Sequence, residues 1–500
     1  CLLSRGLGDV YKRQIIMTLS ELLKDVNIKK IDGGGSMKIS GIACDSRKVK
    51  PGNVFVCITG YETDGHKYAK SAVENGAVAV VAEHDLPTVD VPCVIVDNTR
   101  KAMSEMAATF YDYPYKKFKL IGITGTNGKT TTTYLIKSIL EHLGKKVGLI
   151  GTNQNMIGDM IMETSRTTPD SLELMQLFDM IASHNVDYVV MEVSSHALAL
   201  DRVTACTFDV GAFTNITQDH LDFHKTMEEY LAAKSILFNI CNTGVVNKDD
   251  ARSEYLIENA RCRNMITYGI NQDCDLKASN IILNEDGVKF DINYGGMEEH
   301  VDLPIPGEFS VYNALTAIGC CMAENIPLDL AVDGLHSAKG VKGRIEIVRT
   351  PGTNYTVIID YAHTPDGLLN VINAIRGFAK GRIVTLFGCG GDRDASKRPI
   401  MGKIAGELSD FCIVTSDNPR TEDPEKIIKQ VVEGVKQTDC DYEVITNRFS
   451  AIEYALDHAK KNDIILLAGK GHETYQVLGK DTIKFDEREI VQKLLGCYDK

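Results

Sequence analysis

The sequence predicts an α/β protein of three domains: a small first domain, a central P-loop ATPase domain with a mostly parallel sheet, and a Rossmann-like C-terminal domain. Three observations support this. The 500 residues exceed what one hydrophobic core usually supports. Strand-like and helix-like stretches alternate along the chain. One apolar stretch, residues 120–124, breaks into glycines and resumes with helical spacing. We expect domains at residues 17–100, 101–342 and 343–500.

Composition bounds the class of protein. The chain is 44% hydrophobic and 25% charged, which is ordinary for a globular protein, and no apolar run is long enough to span a bilayer. A formal net charge of −13 argues against binding to nucleic acid or anionic membranes. The 14 cysteines include no C-x-x-C pair, so we expect free thiols and a cytoplasmic location. We expect residues 1–16 to be a non-native leader, since Met17 resembles a normal start.

The first domain, residues 17–100, is predicted to be a small α/β unit. A short helix-like stretch follows Met17. Strand-like stretches then alternate with polar loops and helix-like pieces. The predicted strands are residues 39–43, 54–58, 78–82 and 94–96.

The central domain begins with a candidate phosphate-binding loop. A strand over residues 120–124 leads into Gly125-Thr-Asn-Gly128-Lys129-Thr130, and a helix follows until Gly144. Glycines let backbone N–H groups approach phosphates, and a helix N-terminus adds partial positive charge. Lys129 would reach the outer phosphates and Thr130 would bind magnesium. Ile123 replaces the first glycine of the usual motif, and a chance glycine-rich turn is the alternative. The strand–loop–helix context favours a nucleoside triphosphate site.

Two later strands of this domain end in polar residues. Residues 187–192 form an apolar strand that ends in Glu192, where a nucleotide's magnesium is often held. A second strand, residues 208–213, precedes a segment that offers His220 and two carboxylates for a second cation. Ordinary polar strand ends are the alternative.

Residues 247–250 fit the N-K-x-D guanine signature of GTPases. A correctly spaced D-x-x-G is missing, so we interpret this match as coincidence and a GTP-dependent switch as a weaker alternative.

The C-terminal domain carries charged residues and glycines after four predicted strands. The strands are residues 355–359, 383–387, 412–415 and 464–468, and the polar segments that follow them are 360–366, 388–394, 416–420 and 469–473. Ligands of open α/β sheets bind at the carboxyl ends of strands. The pattern therefore predicts a site for a small polar molecule, with solvated loops as the alternative.

Six of these motifs together resemble the Mur ligase family of peptidoglycan synthesis. They are residues 124–130, 191–196, 214–220, 343–344, 360–365 and 469–473. The resemblance implies that ATP phosphorylates a substrate carboxylate and that an amine attacks the acyl phosphate. Residues 417–420 (Asp-Asn-Pro-Arg) resemble the motif for meso-diaminopimelate, so the implied reaction adds this amino acid to UDP-N-acetylmuramoyl-L-alanyl-D-glutamate. The alternatives are an L-lysine-adding member and a folylpolyglutamate-synthetase-like ligase.

The resemblance also implies cofactors and site residues. It implies magnesium, a carbamate formed from CO2 on Lys234, and a monomer. The implied catalytic residues are Lys129, Glu192, His220 and Lys234, and the metal ligands are Thr130, Glu192, His220 and carbamylated Lys234. The implied ATP contacts are Gly125, Thr126, Asn127, Gly128, Lys129, Thr130, Thr131, Asn313, Arg344, Asp360 and His363. The implied contacts of the UDP-linked substrate are Ser46, Tyr61, Glu62, Thr63, Thr167, Thr168, Ser194 and Arg202. The implied diaminopimelate contacts are Arg393, Asp417, Asn418, Pro419, Arg420, Gly469 and Glu473.

Overall fold

A computed structural model of the chain describes residues 16–60, 63–87, 89–162, 164, 166–284 and 287–496. The expected leader lies outside these residues except for its last residue, Ile16. The described residues divide into two compact units. One contains residues up to 119 with 168–186 and 196–207, and the other contains 120–167, 187–195 and the chain from 208 onward. Both units mix helices with mostly parallel sheets, which confirms the predicted fold class.

The first unit is built on a five-stranded sheet in the order β2-β7-β6-β5-β4. Only the β2–β7 pair is antiparallel. The Asn98 side chain accepts from two N–H groups at the start of α3 and so fixes where that helix begins. The helices of residues 168–186 and 196–207 also belong to this unit and are given below in chain order. The other elements are β1 (Met17–Thr18), α1 (Leu19–Leu22), β2 (Ile28–Ile31), β3 (Lys38–Ile39), β4 (Gly41–Ala43), β5 (Asn53–Val56), α2 (Ala69–Glu74), β6 (Ala77–Ala82), β7 (Cys93–Val96) and α3 (Thr99–Phe110).

The central part contains an eleven-stranded sheet in the order β11-β10-β9-β12-β8-β13-β14-β15-β16-β17-β18. Its middle strands are parallel, and β17 and β18 add antiparallel hairpins at one end. The elements are β8 (Lys119–Thr124), α4 (Lys129–His142), β9 (Val147–Ile150), β10 (Asn155–Ile157), β11 (Met160–Met162), α5 (Ser171–Ser183), β12 (Tyr188–Glu192), α6 (Ser195–Ala199), β13 (Phe208–Phe213), α7 (Leu221–His224), α8 (Met227–Ser235), β14 (Cys241–Asn247), α9 (Ser253–Asn259), β15 (Asn264–Gly269), β16 (Leu276–Asn284), β17 (Gly287–Tyr294), β18 (Met297–Leu303), α10 (Glu308–Ala323) and α11 (Leu328–His336).

The C-terminal part contains a six-stranded sheet in the order β19-β20-β24-β21-β22-β23. All pairs except β19–β20 are parallel, so the ends of β20, β24, β21 and β22 meet at one edge, as the sequence predicts. The elements are β19 (Glu346–Val348), β20 (Thr356–Asp360), α12 (Pro365–Arg376), β21 (Ile383–Phe387), α13 (Lys397–Leu408), β22 (Phe411–Val414), α14 (Pro424–Val435), β23 (Tyr442–Val444), α15 (Arg448–Asp457), β24 (Ile464–Ala468), β25 (Tyr475–Leu478), β26 (Asp481–Lys484) and α16 (Glu487–Leu494).

Apolar strands and helix faces form the cores. Ile121, Ile123 and Val210 of the central strands pack against Leu135 and Ile139 of α4, and all five are buried. This packing holds the loop between β8 and α4 on a rigid base. None of the helices in the described part of the chain is both long and apolar enough to cross a membrane.

Candidate active site

The predicted phosphate loop joins β8 to α4, and two of its glycines adopt backbone angles that favour glycine. Gly125 has φ +148° and Gly128 has φ +87°. A Cβ atom on Gly128 would lie 2.4 Å from Oδ1 of Asn313. The Lys129 ammonium donates to the carbonyl oxygens of Gly125 and Thr126 at 2.9 and 2.8 Å. Lys129 therefore lies over the loop beside the first N–H groups of α4, an arrangement suited to phosphates.

Glu192 lies at the end of β12 and faces the start of α4. Its Oε1 accepts hydrogen bonds from Thr130 Oγ1 at 3.0 Å and from the Thr152 N–H at 2.8 Å. Thr152 Oγ1 also donates to Glu192 Oε2 at 2.9 Å. Arg344 donates to Thr130 Oγ1 at 3.2 Å. The structure therefore brings Thr130 and Glu192, two of the predicted magnesium ligands, within hydrogen-bond distance of each other.

Asp219 lies at the centre of a buried group of charges. His220 lies 3.4 Å from its carboxylate, and the ammonium of Lys397, at the start of α13, lies 3.8 Å away. Burial alone would raise the pKa of Asp219, but His220, Lys397 and His363 outweigh it and lower this pKa to about 2. The carboxylate is therefore ionised at neutral pH. Its negative charge holds these cationic or ionisable groups near the phosphate loop.

Lys234 lies on α8, one turn after Tyr230. Its Nζ lies 4.3 Å from the centre of the Tyr230 ring, and the lysine is only 1% exposed. The Tyr230 hydroxyl lies 3.2 Å from Thr126 Oγ1 of the phosphate loop. Burial, reinforced by the charge of Lys129, holds the pKa of Lys234 well below its usual value. A lowered pKa favours the neutral, nucleophilic form of the amine.

The C-terminal part supplies a cluster of rings and charges near the phosphate loop. The Arg344 guanidinium lies 4.7 Å from the centre of the Tyr361 ring, and the rings of His363 and His472 lie 4.6 and 4.9 Å from it. Burial lowers the pKa of His363 to about 4. Asp360 accepts from the Ile345 N–H at 2.8 Å, and burial raises its pKa. Such a surface can hold a nucleotide between aromatic and charged groups.

One cavity of about 700 Å³ lies between the phosphate loop and the C-terminal residues Arg344, Asp360, Tyr361 and His363. It is lined by most of the predicted ATP contacts. These are Thr126, Asn127, Gly128, Lys129, Thr130, Thr131, Asn313, Arg344, Asp360 and His363, with Glu192 and His220 from the catalytic set. Among the described residues, the predicted ATP contact Gly125 and the predicted catalytic residue Lys234 do not line it. The volume is within the range of small-molecule and cofactor sites.

Residues 417–420 contact the segment after β24. Asn418 Nδ2 donates to Glu473 Oε2 at 2.9 Å. The buried Lys470 ammonium lies 3.2 Å from Asn418 Oδ1 and 3.1 Å from Glu473 Oε2. The backbone carbonyl of Asp417 accepts from Gln476 at 2.6 Å. Burial raises the pKa of Glu473. Hydrogen bonds therefore join the two segments that are predicted to bind diaminopimelate, residues 417–420 and 469–473.

The other residues predicted to bind diaminopimelate lie beside these two segments. Gly469 has φ +115°, and a Cβ there would lie 2.7 Å from Asp417 Oδ2. Arg420 NH1 donates to the Gly391 carbonyl at 2.8 Å. A Cβ on Gly390 would lie within 4 Å of both Arg420 and Arg393. The two arginines are therefore neighbours. Arg393 is exposed, so it is available to an anionic ligand.

The predicted contacts of the UDP-linked substrate divide between the two units. In the first unit, the Ser46 carbonyl accepts from Asn75, and Thr63 Oγ1 lies 3.2 Å from the Tyr68 hydroxyl. In the same unit the Thr168 carbonyl accepts from Arg202 at 2.9 Å. In the second unit, Thr167 Oγ1 lies 3.0 Å from Thr152 Oγ1, and Ser194 lines the cavity. Tyr61 and Glu62 lie outside the described residues.

The guanine-like motif, residues 247–250, has a structural role. Asn247 donates to the Thr214 carbonyl at 2.8 Å. The Asp249 carboxylate accepts three backbone N–H groups of residues 270–272 and the Tyr312 hydroxyl. Asp250 accepts from the Ile216 N–H at 2.8 Å. These hydrogen bonds hold loops together at the wall of the cavity that Asn247, Asp249 and Asp250 line, and our interpretation of the motif as coincidence stays a prediction.

Two buried lysines contact the candidate sites but were not predicted from the sequence. They are Lys397 beside Asp219 and Lys470 beside Glu473. Lys470 lies within a recognised motif, but the sequence does not show that its side chain is buried. Lys397 lies four residues after Arg393, and no sequence pattern marks it as a site residue.

Within the residues that the structure describes, no group of three or more His, Cys, Asp or Glu side chains is arranged to hold a metal ion. The second cation site expected at His220 and its two neighbouring carboxylates stays a prediction.

Comparisons with known proteins identify the family. Three family descriptions match: "Mur ligase family, catalytic domain" over residues 38–111, "Mur ligase middle domain" over 123–321, and "Mur ligase, glutamate ligase domain" over 343–471. A Clostridium botulinum protein named UDP-N-acetylmuramoyl-L-alanyl-D-glutamate–2,6-diaminopimelate ligase is 50% identical over 96% of this chain and 99% of its own length. A Bacillus licheniformis protein of the same name is 44% identical over 96% of this chain and 99% of its own.

Solved structures give the same result. A structure of a UDP-N-acetylmuramoyl-L-alanyl-D-glutamate–2,6-diaminopimelate ligase has a TM-score of 0.69 and 30% identity, and covers 96% of this chain and 99% of that chain. Mycobacterium tuberculosis folylpolyglutamate synthase shares the fold with a TM-score of 0.63, at 17% identity over 79% of this chain and 95% of that chain. With matches that extend over nearly its whole length, the chain belongs to the Mur ligase family.

Proposed function

We propose that this chain is the ATP-dependent ligase that adds meso-diaminopimelate to UDP-N-acetylmuramoyl-L-alanyl-D-glutamate in peptidoglycan synthesis. The observation that carries the proposal is the 50% identity to a ligase of that name over nearly the full length of both chains. The proposed domains are residues 17–100, 101–342 and 343–500, and the three family matches begin in different members of this set. L-lysine remains the alternative amino acid.

The cavity suits the first half of this reaction, which forms an acyl phosphate from the substrate carboxylate and ATP. Such a transfer depends mainly on positioning and on neutralising charge. Lys129 and the N–H groups of α4 would hold the phosphates, and Arg344 adds a second cation 3.2 Å from Thr130. We propose Thr130, Glu192, His220 and carbamylated Lys234 as magnesium ligands. The hydroxyl and carboxylate oxygens of Thr130 and Glu192 suit this hard cation, whereas His220 and Lys234 are included because of the resemblance to the family. Magnesium bound there would neutralise charge on the phosphoryl group.

We also propose that Lys234 carries a carbamate. Its burial and lowered pKa favour the neutral amine, which is the form that adds to CO2 with loss of one proton. The carbamate bears a negative charge, whereas the ammonium form of Lys234 bears a positive one. That change would remove the unfavourable interaction between Lys234 and Lys129.

The second half of the reaction needs a site for the amino acid. Diaminopimelate has a distal ammonium and carboxylate, whereas lysine has only the distal ammonium. We propose that Arg420 and Arg393 bind the distal carboxylate, because guanidinium groups pair with carboxylates through two hydrogen bonds. Asp417 and Glu473 would bind the distal ammonium. The hydrogen bonds among Asn418, Lys470 and Glu473 support this proposal by holding the acidic group in place.

Phosphate release from ATP tests the proposal. With the UDP-linked dipeptide present, we expect meso-diaminopimelate to stimulate release and L-lysine to have no effect. Arg420→Ala should raise the KM for diaminopimelate by at least tenfold, because it removes the charge-assisted hydrogen bonds that we propose between Arg420 and the distal carboxylate. Arg349→Ala, which removes an exposed arginine just after β19, is the matched control. Stimulation by L-lysine would contradict the proposed amino acid, and stimulation by neither would contradict the proposed reaction.

A further inference from the structure

Two cysteines of the C-terminal sheet lie in contact. Cys412 is on β22 and fully buried, whereas Cys440 lies two residues before β23 and is partly exposed. Their sulfur atoms are 3.8 Å apart, although 28 residues separate them in the chain. A disulfide requires a separation of about 2.0 Å. A small side-chain movement therefore separates this contact from a covalent bond.

The sheet fixes the backbone around this pair. β22 and β23 are parallel, and Cys412 is paired with Tyr442. The Cys412 N–H donates to the carbonyl of Asp441, the residue after Cys440, at 3.0 Å. The Cys440 sulfur also lies 3.4 Å from the Ser409 carbonyl. Both thiols are therefore held near each other by main-chain hydrogen bonds, so little freedom is lost when they join.

The two thiols differ in the way that an attacking thiol and a resolving thiol must differ. The hydrogen bond between the sulfurs lowers the pKa of Cys440. The same hydrogen bond, reinforced by burial, raises the pKa of Cys412. The thiolate is the reactive form, and it must also reach the oxidant. Cys440 is the partly exposed member of the pair, and Cys412 is shielded beneath it.

We propose that Cys440 is a reversible oxidation site for a peroxide and that Cys412 is its resolving cysteine. The Cys440 thiolate attacks a peroxide oxygen of H2O2, which forms a sulfenic acid and releases hydroxide. The Cys412 thiol then attacks the Cys440 sulfur, forms the S–S bond and releases water after proton transfer. The two thiols lose two electrons, and the peroxide is reduced to water. Disulfide formation protects Cys440 from irreversible oxidation to sulfinic acid.

Peptide mapping of the full-length protein tests this proposal. We expect H2O2, followed by alkylation of free thiols, to give an internal link between the peptides of Cys412 and Cys440, with loss of two hydrogen atoms. Dithiothreitol should reverse it. In Cys412→Ser and Cys412→Ala, Cys440 should instead accumulate sulfinic acid that dithiothreitol does not reduce. In Cys440→Ser, Cys412 should stay reduced because it is buried.

A second cysteine pair provides the control. Cys241 begins β14 and Cys262 lies two residues before β15, and their side chains are also hydrogen bonded. Cys262→Ser should leave the Cys412–Cys440 link unchanged. The proposal is overturned if exposed Cys44 is oxidised while the wild-type protein forms no Cys412–Cys440 link. It is equally overturned if sulfinic acid forms at Cys440 as fast in the wild type as in Cys412→Ser.

Discussion

His472 makes the stability of the protein depend on pH. Burial, with the charges of Arg344 and Arg488, lowers its pKa from 6.5 to about 3. The unfolded chain regains the ordinary pKa, so between these values it binds a proton that the folded protein does not. The free energy of unfolding therefore falls as the pH drops through this window, by at most about 1.4 kcal/mol per pH unit for one group.

We expect His472→Gln to flatten this dependence in part, since His363 contributes in the same direction with a pKa of about 4. The measurement is the urea midpoint of wild type and variant at about pH 7 and about pH 5, within the range in which unfolded histidine titrates. Equal losses of stability in both proteins would show that folding does not lower the pKa of His472.

Lys397 and Lys403 lie on the same helix, α13, but in different surroundings. Lys397 is 6% exposed and lies 3.8 Å from buried Asp219, whereas the Lys403–Glu407 pair is about half exposed. Removing one partner of a buried pair leaves an uncompensated charge, while exposed pairs contribute little. We expect Lys397→Met to lower the free energy of unfolding by roughly 3 kcal/mol, and Lys403→Met by about 0.5 kcal/mol or less. Urea denaturation measures the free energy of unfolding of both variants. Similar losses in the two would contradict a buried ion pair between Lys397 and Asp219.

At the scale of elements, the turn from β8 into α4 depends on space as well as on backbone angles. Gly128 and Gly144 flank α4 with φ of +87° and +72°, so alanine strains both by about 1–2 kcal/mol. Only Gly128 is crowded, because a Cβ there would lie 2.4 Å from Asn313, whereas Gly144 has nothing within 4 Å. We expect Gly128→Ala to weaken ATP binding at least tenfold and Gly144→Ala to leave it unchanged. Calorimetric titration with ATP distinguishes them.

Sequence patterns predicted the elements well where periodicity was strong. The strands 208–213, 383–387 and 464–468 agree with the structure residue for residue. The helix that begins at Pro365 was also predicted, because proline favours the first turn. Contacts between distant segments were not predictable. Nothing in the local sequence around Lys397 indicates that α13 would place it beside Asp219, since this depends on tertiary packing.

At the scale of the whole molecule, the candidate ATP site joins parts that are far apart in the chain. Asn127 of the phosphate loop donates to Asp366 at the start of α12 at 2.6 Å, across 239 residues. Arg344 donates to Thr130 across 214 residues. Sequence motifs identified each of these segments separately. The fold, and not the local sequence, places them around one cavity.

This arrangement predicts that ATP orders two distant segments together. In hydrogen exchange of the full-length protein, we expect ATP to slow exchange in peptides that cover residues 123–132 and also in peptides that cover 360–371. Both line the cavity, and a ligand bound there opposes local opening of each. Adenosine, which lacks the phosphates, should protect residues 123–132 much less. Protection confined to 123–132 with ATP would mean that the C-terminal segment does not contact the nucleotide, and Arg344 and His363 would then need another role.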